Sequence, residues 1–137
     1  MIEHTISIQP IATGHLCCEL LLNEKPIFVL IDTGASNSCI GHERVDYYKI
    51  TLHEAPIQAA GAGSEKLQAQ KTAPVSFAAK NGEQLMETSV MVLDLDPVNA
   101  TLAQQEAPYV DGILGADILQ AGQAIIDYEK YLLRLKF

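Results

Sequence analysis

A five-residue segment, DTGAS at positions 32–36, follows an apolar run and carries the clearest chemistry in the chain. A charged Asp32 at the end of a buried strand costs several kcal/mol unless it is hydrogen-bonded or paired. Gly34 lets the backbone turn tightly, with its N–H directed at the carboxylate. Thr33 and Ser36 add hydroxyl groups that can also donate to it. The segment therefore predicts a carboxylate that is held in place for chemistry.

Two further features follow this segment in order. Residues 59–65, with Gly61 and Gly63, have the composition of a hairpin tip. Ile113-Leu114-Gly115 leads into a short predicted helix and then into terminal strands. The order of acid motif, glycine-bearing hairpin, two aliphatic residues with a glycine, and short helix resembles that of the retropepsin-like aspartic proteases. The resemblance covers residues 8–137 and rests on two motifs.

The resemblance implies a single domain over residues 1–137, with an all-β, closed-barrel acid-protease fold and one or two short helices. It implies an aspartic endopeptidase that needs no cofactor and no metal. By the same resemblance, the Thr33 hydroxyl braces the opposite loop across a two-fold axis, and Gly34 keeps an amide near the carboxylate. The catalytic residues would be Asp32, Thr33 and Gly34, and a peptide or protein substrate would contact Ala35, Gly61, Ala62, Gly63 and Ile113.

One catalytic motif per chain has a consequence for assembly. Peptide hydrolysis without a metal or a covalent intermediate needs one group that takes a proton from water and another that hydrogen-bonds or protonates the substrate carbonyl. Two carboxyl groups about 3 Å apart can do this, since like charges so close retain one proton between them. The chain holds one D-T-G, so we expect a homodimer in which Asp32 of each subunit completes the pair.

Other functions remain open at this level. A non-catalytic relative of the same fold would bind peptides or dimerise without cutting, and a third class is a small structural β-domain in a larger assembly. Asp117 is not expected to supply the second carboxylate, because the family uses a polar residue there to support the helix. Cys39 lies near the acid motif but has no general base at an interpretable spacing, so a cysteine nucleophile is not expected.

Composition excludes several classes of partner. The formal net charge is −8, and there is no Lys/Arg run of the kind that a nucleic-acid site needs. No segment is long and apolar enough to span a membrane, and the first ten residues lack a secretory signal pattern. Three cysteines, of which Cys17 and Cys18 are adjacent, suit neither a disulfide framework nor a zinc site, and the four histidines are scattered. We expect reduced thiols and a cytoplasmic location.

Short segments rich in branched residues predict many strands. Cys17 and Cys18 should alternate across their strand, one inward and one outward. The segment 96–108 is expected to be an irregular connection with at most one helical turn, and the terminal strand 131–137 is a candidate for pairing between subunits. The predicted strands are 5–9, 15–22, 26–31 and one through Thr88, Val90 and Val92; the helices are 42–48 and 116–121; the turns are Asn81-Gly82 and the hairpin at 127–130.

Overall fold

The computed structural model describes residues 1–53, 57–58 and 68–137, and these are mostly β. The helices are α1 (Asp96–Gln104) and α2 (Ala116–Ala121), with a 3₁₀ turn at His42–Arg44. The strands are β1 (Glu3–Ser7), β2 (Gln9–Pro10), β3 (Leu16–Leu22), β4 (Lys25–Ile31), β5 (Cys39–Gly41), β6 (Ile57–Gln58), β7 (Gln68–Lys71), β8 (Val75–Ala78), β9 (Gln84–Thr88), β10 (Met91–Leu93), β11 (Gly112–Leu114), β12 (Ile125–Asp127) and β13 (Leu132–Lys136).

The strands of the described residues form two sheets. The larger has the order β6-β7-β10-β5-β11-β4-β3-β8-β9, with β2 on β3, and the smaller has the order β1-β13-β12. Within the larger sheet β4 is parallel to β11 and antiparallel to β3. The result is a half-barrel of strands with few short helices, which confirms the predicted mostly-β class. No helix among the described residues is long and apolar enough to cross a membrane.

The β3–β4 hairpin shows how local sequence sets the register. Its two turn residues, Asn23 and Glu24, have φ values of 47° and 71°, the positive angles of the turn that matches strand twist. The Asn23 side chain donates to the Tyr48 carbonyl at 2.9 Å and accepts the Ser76 N–H at 3.0 Å. Because these bonds anchor the turn to two distant segments, the hairpin is fixed in place as well as formed.

Apolar side chains are buried on both faces of β3 and β4. One cluster includes Cys18, Val29 and Leu133, and a second includes Cys17 and Leu30 together with residues of α1. The two adjacent cysteines do point to opposite faces, but both are buried, at 0% and 2% exposure. The prediction that one of them faces outward is therefore wrong, because a second core covers the outer face of the strand.

That second core depends on a helix that the sequence analysis missed. Helix α1 occupies most of the segment predicted to be irregular. Pro97 lies in its first turn, where a missing N–H costs nothing. Val98 and Leu102 are four residues apart and pack on the second cluster. Conversely, the helix predicted at 42–48 is only the 3₁₀ turn at His42–Arg44, followed by irregular turns.

Three predictions of strands and turns differ from the structure. The strand predicted at 5–9 is divided at Ile8, since β1 belongs to the smaller sheet and β2 pairs with β3 of the larger sheet. The strand predicted through Thr88, Val90 and Val92 is two strands, β9 and β10, separated at Ser89 and Val90. The turn at Asn81-Gly82 does join two strands, but it belongs to a loop of residues 79–83 instead of a two-residue turn. The remaining predictions, including the terminal hairpin and helix α2 with Gly122 at its C-cap, are confirmed.

The terminal strand β13 is enclosed within its own chain. It pairs with β1 over Glu3–Ser7 on one side and with β12 over Ile125–Asp127 on the other. Main-chain bonds between Ile2 and Phe137, at 2.7 and 3.1 Å, extend the first pairing. The expectation that this strand pairs between subunits is therefore contradicted, since both of its edges are already occupied.

Asn99 attaches α1 to the segment that leads into β11, and this attachment can be tested. Its side chain donates to the Val110 carbonyl at 3.1 Å and accepts the Val110 N–H at 2.8 Å. Asn99→Ala leaves both buried groups without a partner, which should lower the free energy of unfolding by about 1 to 3 kcal/mol. Urea denaturation measures this. Gln104→Ala, at an exposed position of the same helix, is the control and should change stability little.

Candidate active site

The pairing of β4 with β11 brings the two sequence motifs together. Leu30 is opposite Ile113 and Ile31 is opposite Leu114. Directly after β4, the Asp32 N–H donates to the Leu114 carbonyl at 3.0 Å. The acid motif and the aliphatic-glycine motif, more than 80 residues apart, thus form one structural unit.

Asp111 holds this register from the start of β11. Its carboxylate accepts the Phe28 N–H at 3.0 Å, and its own N–H donates to the Phe28 carbonyl at 2.8 Å. The second carboxylate oxygen lies 3.0 Å from Nε of Arg44, a partly exposed ion pair. These bonds fix how far β11 slides along β4, and therefore where the segment after each strand lies.

The Asp32 carboxylate is half-buried and is positioned by the backbone of its own loop. Its Oδ1 accepts the Gly34 N–H at 2.9 Å, and its carbonyl accepts the Ala35 N–H at 3.2 Å. The Gly34 amide therefore lies against the carboxylate. The hydroxyl groups of Thr33 and Ser36 donate no hydrogen bond to Asp32 within the described residues, and both side chains are exposed. The donor that orients the acid is therefore a main-chain amide.

Gly115 is required because two backbone segments meet there. A Cβ at this position would lie 2.7 Å from the Ala35 carbonyl oxygen and 2.9 Å from the Asn37 carbonyl carbon, closer than real Cβ contacts come. The next residue, Ala116, donates its N–H to the Ala35 carbonyl at 2.7 Å. The glycine of the second motif thus lets the start of α2 rest directly on the acid loop.

Asp117 binds the far end of the same loop. Its carboxylate accepts the Ser38 N–H at 3.0 Å and the Ser38 hydroxyl at 2.7 Å, and it also accepts the N–H of Ile118 at 2.8 Å. The Ser38 oxygen in turn accepts the Gly115 N–H at 2.8 Å. Asp117 thus joins the start of α2 to the acid loop, by contacts with a residue 79 positions away in the chain.

Two hollows adjoin the acid loop. One, of about 450 Å³, contains Asp32 and has an apolar wall that includes Leu30, Ile113, Val98 and Leu102. The second, of about 370 Å³, is lined in part by Ala35 and Met91. Of the predicted substrate contacts, Ala35 and Ile113 thus line open space beside the acid. Gly61, Ala62 and Gly63 lie outside the described residues.

A protein-family model described as aspartyl protease matches residues 18–118, which include both motifs. The chain belongs to this family. No curated protein sequence is significantly similar to the chain.

Solved structures agree with the aspartyl protease fold. The retroviral protease-like domain of Ddi1 from Leishmania major is 17% identical, with a TM-score of 0.64 over 88% of this chain and 87% of that one. A retropepsin-like aspartic protease from Rickettsia conorii is 21% identical, with a TM-score of 0.57 over 98% and 89%. EIAV protease complexed with the inhibitor HBY-793 is 27% identical, with a TM-score of 0.48 over 76% and 84%. The first two similarities establish the fold, and the predicted resemblance to retropepsin-like aspartic proteases is confirmed.

The sequence analysis missed the residues that α1 and the acid loop contribute to the site. Val98 and Leu102 line the hollow beside Asp32, and Ser38 links the loop to the start of α2. The spacing of the first two, together with Pro97, was a usable helix signal. No local signal distinguished Ser38 from any loop serine, because its partners are nearly 80 residues away.

The surroundings of Cys39 oppose a role as a nucleophile. The side chain is 2% exposed. Burial raises the pKa of its thiol to about 11, and the negative charges of Asp117 and Asp32 act in the same direction. A nucleophilic cysteine needs a depressed pKa and access to solvent.

Within the described ranges, no group of three or more His, Cys, Asp or Glu side chains is placed to hold a metal ion.

The support of the acid loop by Asp117 can be measured. Asp117→Ala removes the acceptor for the N–H and hydroxyl of Ser38, which should lower the free energy of unfolding by about 2 to 3 kcal/mol. Asp117→Asn retains one acceptor oxygen and should cost less than half of that. Chemical denaturation of both variants provides the comparison, and equal losses would show that these bonds do not carry the effect.

The raised pKa of Cys39 predicts slow chemistry and a pH dependence of stability. With a pKa of about 11, only about one molecule in a thousand carries the thiolate at pH 8, so a thiol reagent should react only after unfolding. Between pH 9 and 11 the unfolded chain loses the Cys39 proton and the folded chain keeps it, so ionisation favours the unfolded state. The contribution of Cys39 to the free energy of unfolding is therefore fully present below pH 9 and is lost as the pH rises toward 11. Denaturant unfolding at several pH values between 8 and 11 measures how steeply the free energy of unfolding falls with pH. Cys39→Ala should have a shallower slope, and an unchanged one would contradict the assignment.

Proposed function

We propose that the chain is an aspartic endopeptidase that acts as a homodimer, with one Asp32 carboxylate from each subunit. The observation that carries the proposal is the position of Asp32: its carboxylate is held by the Gly34 amide at the edge of an apolar hollow. Membership of the aspartyl protease family supports the reaction class. The single D-T-G of the chain supports the need for a partner.

The proposed reaction uses the two carboxyl groups in different protonation states. Because like charges at close range cannot both ionise, one Asp32 stays protonated. The ionised carboxylate takes a proton from water as the water oxygen attacks the peptide carbonyl carbon. The protonated carboxyl gives its hydrogen to the carbonyl oxygen. The resulting diol then collapses as a proton passes to the amide nitrogen and the carbon–nitrogen bond breaks.

Supporting residues have roles that follow from their positions. The Gly34 N–H holds one carboxylate oxygen in place, so the acid needs no reorganisation during the reaction. Thr33 is exposed next to it and has no hydrogen-bond partner for its hydroxyl within the described residues, which leaves it available to brace the partner's loop. Ala35 and Ile113 would contact the peptide on the walls of the two hollows.

The substrate class follows from the hollow that contains Asp32. Its wall is formed largely by aliphatic side chains, including Leu30, Val98 and Ile113. A peptide with a large apolar side chain next to the cleaved bond would bury that side chain there. We also propose a reducing, cytoplasmic location, because an odd set of three cysteines with two adjacent ones does not suit a disulfide framework.

Asp32→Asn tests the proposal. The variant should remain a folded dimer, with cleavage of a peptide library lowered by on the order of 10³-fold or more, as expected for loss of a reacting group. Mass spectrometry of the products measures cleavage. The matched control is Asp46→Asn, at an exposed aspartate whose side chain makes no bond to the site. If wild type cuts nothing and both forms bind the same peptides equally, the chain is a non-catalytic peptide-binding module instead.

A further inference from the structure

A hollow of about 390 Å³ lies where the two sheets diverge. β1 belongs to the smaller sheet, whereas β2, which follows it after Ile8, pairs with β3 of the larger sheet. We call this space the junction hollow; its lining includes Thr5, Ser7, Glu19, Phe28, Lys80 and Asn81. These residues differ from those that line the two hollows beside the acid loop. The junction hollow is therefore a separate site.

One edge of β1 directs main-chain groups toward this hollow. In the smaller sheet β1 pairs only with β13. Ile2 exchanges two main-chain bonds with Phe137, and the Ile8 N–H donates to a carbonyl just before β13 at 3.1 Å. In an antiparallel ladder, the residues that bond to the neighbouring strand alternate. The N–H and C=O groups of Thr5 and Ser7 therefore point away from β13, toward the hollow that both residues line.

β3 has a gap in its ladder on the same side. β4 pairs with one edge of β3 throughout, while on the other edge β2 reaches only Cys17 and β8 begins only at Leu21. The main chain of His15, before β3, and of Asn23, after it, bonds on the β2 and β8 side. By the same alternation, Glu19 directs its N–H and C=O into the gap. Within the described residues, neither group has a bonded partner.

These two edges together form a template for an added strand. Unpaired N–H and C=O groups on a strand edge bind an extended chain through the main chain. A segment in the junction hollow can pair with Thr5 and Ser7 on one side and with Glu19 on the other. The hollow also has the volume of a typical ligand site.

The walls of the hollow are fixed before any ligand binds. The loop of residues 79–83 is closed by two main-chain bonds of 2.8 Å, from the Ala79 N–H to the Glu83 carbonyl and from the Gly82 N–H to the Ala79 carbonyl. The buried His4 of β1 attaches to this loop, since its Nδ1 lies 3.2 Å from a Glu83 carboxylate oxygen. A preformed site lowers the entropy cost of binding.

The side chains in the hollow indicate what the added segment carries. Glu19 and Phe28 are cross-strand neighbours, so an acid and an apolar surface lie side by side. Lys80 lies 3.6 Å from the Glu19 carboxylate, but the two side chains are 74% and 41% exposed. Such exposed pairs are weak, so a cation of the ligand can replace Lys80. The net charge of −8 favours the approach of a basic partner.

We propose that the junction hollow binds an extended basic segment of a partner protein by strand addition. The main chain of the segment pairs with Thr5 and Ser7 of β1 and with Glu19 of β3. An apolar side chain of the segment covers Phe28, and a lysine or arginine of the segment binds the Glu19 carboxylate. This function is independent of the proposed protease activity, because it uses neither the acid loop nor the hollows beside it.

A capped heptapeptide, Thr-Val-Thr-Lys-Thr-Val-Thr, is a suitable probe, because in extended form it presents the lysine and both valines on one face. Two-dimensional amide NMR spectra of the full chain, recorded during titration, locate the site and give the dissociation constant. We expect saturable shifts that are largest at Thr5, Ser7 and Glu19. Asp32→Asn, which should prevent cleavage of the probe, should bind it as tightly as wild type does.

Two prolines on the same strand edge test the main-chain pairing. Thr5→Pro removes an N–H that faces the hollow and leaves the bonds to β13 in place, since an edge strand tolerates proline there. Glu3→Pro removes the N–H that points the same way just beyond the hollow. We expect Thr5→Pro to raise the dissociation constant about tenfold and Glu3→Pro to change it little. Far-UV circular dichroism during heating checks that both variants are folded.

A pair of side-chain variants tests the charge preference without altering the backbone. Glu19→Gln should weaken binding of the lysine peptide several-fold and leave a peptide with glutamine in place of the lysine unaffected. Lys80→Gln should strengthen binding of the lysine peptide or leave it unchanged, because Lys80 competes for the same carboxylate. Opposite signs would not arise from a general loss of structure.

Several results would overturn the proposal. These are the absence of saturable shifts, shifts centred on Leu30 and Ile113 in the hollow beside Asp32, and equal losses in Thr5→Pro and Glu3→Pro. Shifts at Thr5 that depend on protein concentration without peptide would show that a second copy covers the edge instead. Equal affinity for the lysine and glutamine peptides would refute the basic partner. None of these outcomes depends on whether the chain cleaves peptides.

Discussion

The site depends on the parallel pairing of β4 with β11. This pairing places Ile31 opposite Leu114 and lets the Asp32 N–H reach the Leu114 carbonyl. The two strands are not joined by a short connection, so the register must be fixed by contacts between them. Asp111 supplies these by bonding the main chain of Phe28 in both directions. A shift of one residue would turn each side chain to the opposite face and remove the acid from its hollow.

Gly115 and a network of polar groups around Ser38 hold the acid loop against the paired strands. Gly115 permits a main-chain approach that any Cβ would block, and Ser38 is bonded by both Gly115 and Asp117. Satisfied polar groups in a buried region hold a single geometry, because any displacement leaves one of them without a partner. The acid loop is thus supported on its inner side, while the opposite side, with Thr33 and Gly34, remains exposed.

An exposed half of an otherwise rigid site is consistent with a function that needs a second molecule. The aspartyl protease family supplies the chemistry class, and an apolar groove adjoins the exposed Thr33. Helix α1 adds to this by covering the second face of β3 and β4. Its side chains both complete a core and form part of the wall of the hollow that contains Asp32, so the same residues contribute to fold stability and to the shape of that hollow.

The sequence by itself determined the features that arise from neighbours in the chain: the DTG turn, the β3–β4 hairpin, helix α2 and the order of motifs that indicated the family. Backbone constraints of glycine, asparagine and short apolar runs act over a few residues, so they can be read locally. Tertiary structure decided the burial of both Cys17 and Cys18, the use of Ser38, and the enclosure of β13. Each of these features depends on partners far away in the chain. The free energy of such contacts is set by which segments meet in the folded structure, and no local sequence pattern specifies that.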